Sequence, residues 1–140
     1  MISAGFDNVI YRFPVRIYYE DTDLGGVVYH ANYLKYYERA RTEMLGALNV
    51  CQTVLFSQGM GFVIKNIVID NKAPARFNDD LVVKTKIKHL KKASVEFTQW
   101  IELDGKPINT CEITVVSVLL ASMKPVRIPE TIYEELERVC

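Results

Sequence analysis

Residues 18–48 decide the fold and read YYEDTDLGGVVYHANYLKYYERARTEMLGAL. The first part, Glu20 to Gly26, is a polar turn that carries two adjacent glycines. From Ala31 to Leu48 large apolar residues then recur every three or four positions, which predicts an amphipathic helix about 27 Å long. The positions that form this buried stripe are Tyr33, Tyr37, Ala40, Met44 and Leu48. The helix carries enough bulk to be the main core element of the protein.

The rest of the chain reads as β-strands. Strand-like composition or alternation occurs in five segments, Val9–Tyr19, Phe62–Asp70, Leu81–His89, Val95–Leu103 and Glu112–Ala121. The last of these, Glu112–Ala121, is apolar on both faces, which predicts a central strand that is covered on each side. Asp104-Gly105-Lys106-Pro107 predicts a hairpin turn, and Pro129 predicts the start of a short amphipathic helix. The order of strand, long helix and four closely connected strands predicts an α+β fold in which one helix packs on one antiparallel sheet of about five strands.

Length and composition limit the protein to a few classes. The chain has 140 residues, which predicts a single domain over residues 1–140. Seventeen basic and 17 acidic residues give zero net charge, which argues against disorder and against a nucleic-acid partner. The three cysteines show no CxxC spacing, which suits a reducing compartment. The N-terminus lacks a signal peptide pattern and no apolar run is long enough to span a membrane, so a cytoplasmic location is expected.

The turn before the long helix combines the groups that acyl transfer needs. A helix N-terminus offers unpaired N–H groups and a positive dipole end, which stabilise a developing oxyanion. A carboxylate in the preceding loop can act as nucleophile or general base on a carbonyl bound there. The glycine pair Gly25-Gly26 allows the backbone to approach a ligand closely. These residues alone favour a simple turn over a catalytic site, since Asp is common in turns.

The same stretch resembles the signature of the hotdog-fold 4-hydroxybenzoyl-CoA thioesterase family. That signature is an Asp, two further residues and a Gly, followed by apolar residues that lead into the helix. The longer run YYEDTD…GGVVYHANY…ERARTE is similar to the Tol–Pal-associated acyl-CoA thioesterase (YbgC-like) subgroup, as are Arg76–Leu81 and Lys124–Pro129. The resemblance covers nearly the whole chain and implies a hotdog fold.

The resemblance also implies site residues. It places the catalytic carboxylate at Asp23, and at His30 the backbone N–H that polarises the thioester carbonyl; the role of the His30 imidazole stays open. The turn that contacts the phosphates of CoA in this family falls on Lys91 and Lys92. The full set of expected substrate and CoA contacts is Gly26, Tyr29, Lys91, Lys92 and Ser94.

Several features have plainer interpretations. Asp21 and Asp23 begin a calcium-loop pattern, but its twelfth position is Asn32 instead of a bidentate Glu, so no metal site is predicted. Asp21 is expected to be structural. Glu38 and Arg41 are expected to form an ion pair on the helix surface. The remaining expectations are that Tyr33 and Tyr37 lie in the core and that His89 is structural, on the face with Leu81 and Ile87.

The predicted function is hydrolysis of acyl-CoA to a carboxylic acid and CoA, without a metal or a cofactor. Asp23 would attack the carbonyl directly or activate a water, and the sequence does not decide between these routes. The acyl chain is expected in a groove between subunits of a homodimer or tetramer. The alternative is a non-catalytic module that binds CoA or an acyl carrier protein, or a partner of the Tol–Pal envelope machinery or of phospholipid-synthesis enzymes.

Overall fold

A computed structural model describes residues 3–140 as one antiparallel sheet with a long helix packed against it. The strands are β1 (Gly5–Asp7), β2 (Ile10–Arg16), β3 (Met60–Asn71), β4 (Asp80–Leu90), β5 (Ser94–Leu103), β6 (Lys106–Leu119) and β7 (Lys124–Pro125). The helices are α1 (Asn32–Ala47), α2 (Gln52–Ser57) and α3 (Glu130–Glu137), and a 3-10 turn spans Tyr19–Asp21. The predicted α+β class is confirmed. The sheet has seven strands instead of the predicted five or so, because the sequence pattern did not reveal the two very short strands, β1 and β7.

The sheet order is β1-β2-β4-β5-β6-β3, with β7 added beside β6. Helix α1 lies across the face of the sheet and contacts β2 and β4. Its predicted stripe is confirmed, since Tyr33, Tyr37, Ala40 and Met44 are all buried. The two edges of the sheet differ: β1 has three residues, whereas β3 has 12.

A bulge in β4 overturns one expectation about the strand faces. The pairing of β4 with β5 shifts between Ile87 and His89, so the alternation changes phase there. His89 therefore points away from the buried face that Leu81 and Ile87 share, and its side chain is 61% exposed. Its ring lies 3.9 Å from the Glu96 carboxylate. The prediction that His89 shares the face of Leu81 and Ile87 is wrong.

Strand β6 starts earlier and is more polar outside than expected. It begins at Lys106, so the hairpin turn is only Asp104-Gly105. On its outer face Glu112 accepts hydrogen bonds from the Thr98 hydroxyl at 2.9 and 3.1 Å and lies 3.8 Å from Lys88 Nζ. The expectation that Glu112–Ala121 is apolar on both faces is wrong at its start. Within residues 3–140, no helix is long and apolar enough to cross a membrane.

Candidate active site

The loop between the 3-10 turn and α1 is a small hairpin around Asp23. Thr22 and Val28 pair across it, and the Asp23 N–H donates to the Val27 carbonyl at 2.9 Å. The Gly26 N–H closes the turn on the Asp23 carbonyl at 3.0 Å. Gly26 has a φ of +78°, which residues with a Cβ adopt only with strain. The turn thus needs glycine at 26 for its backbone shape.

The Asp23 side chain lies at the exposed tip of this turn. Its Oδ1 accepts a hydrogen bond from the Gly25 N–H at 2.8 Å, and Oδ2 has no partner among residues 3–140. A Cβ on Gly25 would lie 3.2 Å from Oδ1, which is tight contact. The local backbone therefore orients the carboxylate while leaving one oxygen free for chemistry.

Neighbouring backbone fixes the loop to the body of the protein. The Val28 N–H donates to the Ala75 carbonyl at 2.8 Å, and Val27 pairs with Arg76. The Ala75 N–H in turn donates to the hydroxyl of Tyr33 on α1 at 3.1 Å. The segment before β4 thus connects the loop and the helix.

Asp21 ties the loop to the start of α1. One carboxylate oxygen accepts from the Tyr18 N–H at 2.8 Å, and the other accepts from the Asn32 amide at 3.2 Å. Its carbonyl accepts from the Tyr29 N–H at 2.9 Å. Burial and the negative charge of Asp21 raise the pKa of the neighbouring Tyr36 hydroxyl, which stays protonated. The two carboxylates of the motif therefore differ, because the Asp21 side chain is engaged on both oxygens.

The first residues of the helix leave donors free. Ala31 occupies the N-cap and supplies no side-chain cap, and the N–H groups of His30 and Ala31 have no acceptor among residues 3–140. The His30 ring is exposed and packs against Tyr29 with ring centroids 4.6 Å apart. A cavity of about 290 Å³ adjoins this point between α1 and the end of β3. Its lining is Val28, His30, Tyr33, Asn71, Lys72, Ala73 and Pro74.

The structure brings together only part of the predicted site within one chain. Asp23, Gly26, Tyr29 and His30 share the loop, which pairs with residues just before β4. Lys91 and Lys92 lie in the turn after β4, and Ser94 begins β5. The Lys91 N–H donates to the Ser94 carbonyl at 2.9 Å. An 11-residue strand separates the two places, a length of about 33 Å at about 3.3 Å per residue. One chain therefore does not join the lysine turn to Asp23.

Arg41 does not form the surface pair expected with Glu38. The residue is 7% exposed, and its Nη1 donates to Gln99 Oε1 on β5 at 2.9 Å. The Gln99 amide nitrogen donates to the Thr85 hydroxyl at 2.9 Å and to the Tyr37 carbonyl at 3.0 Å. Helical spacing predicted that Arg41 lies beside Glu38. The signal in the sequence for a different partner was that Thr85 and Gln99 are polar at positions where the strand alternation predicts the buried face.

Tyr37, one turn before Arg41 on α1, forms a second buried hydrogen bond to the sheet. The Tyr37 hydroxyl donates to Asn109 Oδ1 at 2.6 Å, and the Asn109 amide donates to Asn71 Oδ1 at 2.6 Å. Burial raises the pKa of Tyr37, so its hydroxyl remains a donor at neutral pH. The expectation that Tyr33 and Tyr37 are core residues is confirmed.

The fold is that of a thioesterase family. Residues 17–136 match the family described as the Thioesterase-like superfamily, and the chain belongs to it. The match covers the loop, the whole of α1 and the five strands that follow it.

Individual relatives agree with that assignment. The chain is 44% identical over 133 residues to the acyl-CoA thioesterase YbgC of Haemophilus influenzae, covering 94% of both chains. It is 41% identical over 133 residues to the acyl-CoA thioester hydrolase YbgC of Escherichia coli O6:H1, covering 94% of this chain and 99% of that one. The crystal structure of a probable thioesterase from Bartonella henselae superimposes with a TM-score of 0.80 at 32% identity, covering 86% of this chain and 99% of that chain.

Proposed function

We propose that this protein hydrolyses acyl-CoA thioesters to a free carboxylate and CoA. The observation that carries the proposal is the Asp23 carboxylate, with one oxygen free, on the loop that leads into an uncapped helix start. The His30 N–H at that start has no acceptor and suits the oxygen of a thioester carbonyl. The relatives with acyl-CoA thioesterase names support this substrate class.

Two routes use the same groups. In the first, an Asp23 oxygen attacks the carbonyl carbon, the C–S bond breaks, CoA leaves as thiolate, and water hydrolyses the resulting mixed anhydride. In the second, Asp23 takes a proton from a water molecule whose oxygen attacks the same carbon. The negative charge on the carbonyl oxygen forms beside the His30 N–H in both routes. Gly26 and Tyr29 would line the approach of the thioester.

The unpaired edge of β3 supports a homodimer. Strand β3 pairs only with β6, and its other side meets no strand within residues 3–140. Two apolar residues on this strand are exposed, Ile64 at 49% and Val68 at 60%. A long apolar edge of this kind invites pairing with another strand. Antiparallel pairing of two β3 edges would set the end of one β3, beside the His30 cavity, next to the start of the other.

CoA phosphates are proposed to contact Lys91, Lys92 and Ser94 of a neighbouring copy, since one chain holds them too far from Asp23. A dimer, or a tetramer of two dimers, would supply such a neighbour.

Replacing both lysines with Ala should raise KM for acyl-CoA and leave a truncated thioester without the nucleotide unaffected. Salt should weaken binding of the full substrate, because exposed ion pairs are screened over about 10 Å at 0.1 M. Equal losses on both substrates would contradict the phosphate contact.

The central test follows thiol release from a panel of acyl-CoAs of graded chain length, including an aromatic one, without added metal or cofactor. Steady release that saturates with substrate is the expected result. Binding of acyl-CoA without any thiol release would contradict hydrolysis and favour a CoA-binding or acyl-carrier-binding module. A single turnover in ¹⁸O-water then tests for the anhydride route, because water that attacks the Asp23 carbonyl of the anhydride leaves label in Asp23, which the general-base route never does.

Assembly is tested by light scattering on the protein and two matched variants. Val68→Lys places a charge on the β3 edge, and Val9→Lys places one in the exposed turn between β1 and β2. We expect the first to dissociate the assembly and the second to leave it intact. A stable, fully active monomer of 16.0 kDa would contradict the shared site.

Two parts of the proposal rest on the resemblance alone, namely a cytoplasmic location and an association with the Tol–Pal machinery or with phospholipid-synthesis enzymes. A pull-down from cell extract with the wild-type protein and Asp23→Asn tests the association. Capture of the same envelope or synthesis proteins by both forms would support a recruiting role that does not need turnover. Capture of none of them would contradict it.

A further inference from the structure

Three polar groups around the cavity beside His30 hold hydrogens for which residues 3–140 supply no acceptor. The cavity measures about 290 Å³ and lies between α1 and the end of β3. The His30 N–H is the first of these donors, and the proposed reaction uses it for the oxygen of the thioester carbonyl. The other two belong to the side chains of Asn71 and Tyr33, and that reaction gives them no role.

A chain of hydrogen bonds from the core holds the Asn71 amide. The Tyr37 hydroxyl donates to Asn109 Oδ1, and Asn109 Nδ2 donates to Asn71 Oδ1, each at 2.6 Å. Tyr37 determines the direction of this chain, because it is 0% exposed and its hydroxyl proton has no other acceptor in the part of the chain that the structure describes. The reverse direction would leave that buried proton unbonded, which costs free energy. Since Oδ1 of Asn71 faces Asn109, the two hydrogens on its Nδ2 remain without an acceptor within residues 3–140.

The Tyr33 hydroxyl is held in a similar way. Its oxygen accepts a hydrogen bond from the Ala75 N–H at 3.1 Å, and its own hydrogen has no acceptor in residues 3–140. Burial raises the pKa of Tyr33, so the hydroxyl keeps that hydrogen at neutral pH. Tyr33 is only 4% exposed, and Pro74, which precedes Ala75 in the chain, lines the cavity together with it. The hydroxyl therefore lies beside the cavity as a buried donor.

The charged groups near the cavity compensate one another. Lys72 also lines it, and the Lys72 Nζ lies 3.2 Å from a carboxylate oxygen of Asp70. The His30 ring packs against Tyr29, and no carboxylate among residues 3–140 lines the cavity. The two free donors therefore match an acceptor oxygen that carries no charge of its own.

A thioester substrate carries such oxygens within a few bonds of the reacting carbonyl. One source is a hydroxyl or keto oxygen on the third carbon of the acyl group, and the other is the carbonyl of the first amide in the CoA arm. A cavity of about 150 Å³ holds a benzene molecule, so one of about 290 Å³ accepts either fragment. We propose that Asn71 and Tyr33 bind a second, uncharged oxygen of the thioester substrate, next to the carbonyl that reacts at His30. Both sources rest on the proposed function, whereas the binding itself can be measured without turnover.

NMR of the Asn71 side-chain amide tests the contact directly, and its signals are identified by their loss in Asn71→Asp. The probes are two thioethers that cannot be hydrolysed, butyl-CoA and 3-hydroxybutyl-CoA, of which only the second has a hydroxyl on the acyl side. A shift of the amide signals with both probes indicates the CoA arm, and a shift with 3-hydroxybutyl-CoA alone indicates the acyl oxygen. Binding of both probes without a shift of these signals, or binding of neither at millimolar concentration, would overturn the proposal.

Hydrolysis measures the same contact through two pairs of substrates. One pair is 3-hydroxybutyryl-CoA and butyryl-CoA, and the other is the butyryl thioester of N-acetylcysteamine, which keeps the first amide, and that of ethanethiol, which lacks it. In one pair, the member with the extra oxygen should have a kcat/KM about tenfold higher. Asn71→Asp should abolish this preference, because it keeps an oxygen for Asn109 and replaces the donor with an acceptor that repels the substrate oxygen. A merely structural role of Asn71 would lower both members of a pair equally and leave their ratio unchanged.

Asn8→Asp is the matched control, because it makes the same change in the exposed turn between β1 and β2, and it should leave both ratios as in the wild type. Tyr33→Phe removes the second donor and keeps the ring, so it should reduce the same ratio even if Asn71→Asp does not fold. Equal losses on both members of each pair, or wild-type ratios in both site variants, would overturn the proposal. Absence of all hydrolysis together with a shift of the Asn71 signals would contradict only the proposed function.

Discussion

The polar groups at the start of α1 and those in its middle differ in their exposure and in their hydrogen bonding. At the start, Asp23 and the His30 N–H are exposed, and each keeps bonding capacity unused. In the middle, Tyr37 and Arg41 are buried and bonded to polar side chains on the sheet. Unused groups at a surface are available to a substrate, whereas the buried bonds fix how the helix sits on the sheet. Changes at the two places should therefore separate activity from stability.

Asp23→Asn should give the largest effect on activity and almost none on stability. Asn keeps an oxygen that can accept from the Gly25 N–H, so the turn is preserved. It removes the nucleophile and the base, and loss of general-base catalysis alone costs about 10²–10⁴-fold in rate. Thiol release measures the rate, and thermal unfolding measures the stability.

Glu20→Gln is the matched control for Asp23→Asn, because Glu20 is an exposed carboxylate in the 3-10 turn just before the loop and makes no side-chain hydrogen bond within residues 3–140. Its turnover should equal that of the wild type. If Asp23→Asn kept about a third of wild-type turnover, well above the expected range, another residue would have to carry the chemistry.

Gln99→Leu should give the largest effect on stability. Gln99 bonds to Arg41, to the Thr85 hydroxyl and to the Tyr37 carbonyl, and all three partners would lose a buried bond. Removing one partner of a buried charged group costs about 3–5 kcal/mol in the free energy of unfolding. Thermal unfolding should show a decrease of roughly 10 °C in Tm.

The neighbouring Thr98→Val is the control for that measurement. Its hydroxyl donates to Glu112 on the outer face of the sheet, where water can replace the bond. We expect a change within about 0.5 kcal/mol. Equal destabilisation by the two variants would mean that the buried hydrogen bonds of Gln99 stabilise the protein no more than the exposed hydrogen bond of Thr98.

The contrast also explains how much the sequence could predict. The start of α1 was predictable because its groups are consecutive in the chain, and residues 18–33 alone contain the loop, the glycines and the uncapped helix start. The helix was likewise predictable, since its expected range 31–48 differs from Asn32–Ala47 by one residue at each end.

The middle of α1 was not predictable in the same way, because Arg41 and Gln99 are 58 positions apart. Helical spacing alone places Arg41 near Glu38. The polar residues Thr85 and Gln99 on the inward faces of their strands indicate that a polar partner lies inside, but only the register of β5 against the helix shows that this partner is Arg41. The bulge between Ile87 and His89 is a similar case. One extra residue there moves His89 to the opposite face of the sheet, and the alternation of residues before the bulge does not predict this change.

Asn32→Ala should have an intermediate effect on both stability and turnover, because Asn32 connects the loop to the start of α1. The Asn32 amide donates to the Asp21 carboxylate at 3.2 Å and to its carbonyl at 3.3 Å. Losing these bonds should cost about 1 kcal/mol in the free energy of unfolding and reduce turnover several-fold, because the loop is less firmly held. Lys35→Ala, an exposed change on the same helix, should alter neither quantity by a comparable amount. A loss of stability without any loss of turnover would show that Asp21 does not position Asp23.

The smallest effects should come from two glycines, and they should fall on different quantities. Gly25→Ala places a Cβ 3.2 Å from the Asp23 carboxylate, which must move by a few tenths of an ångström, so turnover should fall several-fold with little change in Tm. Gly46→Ala adds a methyl group in the last turn of α1, where nothing lies within 4 Å of it. Alanine restricts the unfolded chain and favours the helix, so stability should rise by about 0.5–1 kcal/mol with turnover unchanged. Thiol release and thermal unfolding on both variants decide the matter. If Gly25→Ala lost stability instead of turnover, the close contact at Asp23 would serve the fold of the loop and not the orientation of the carboxylate.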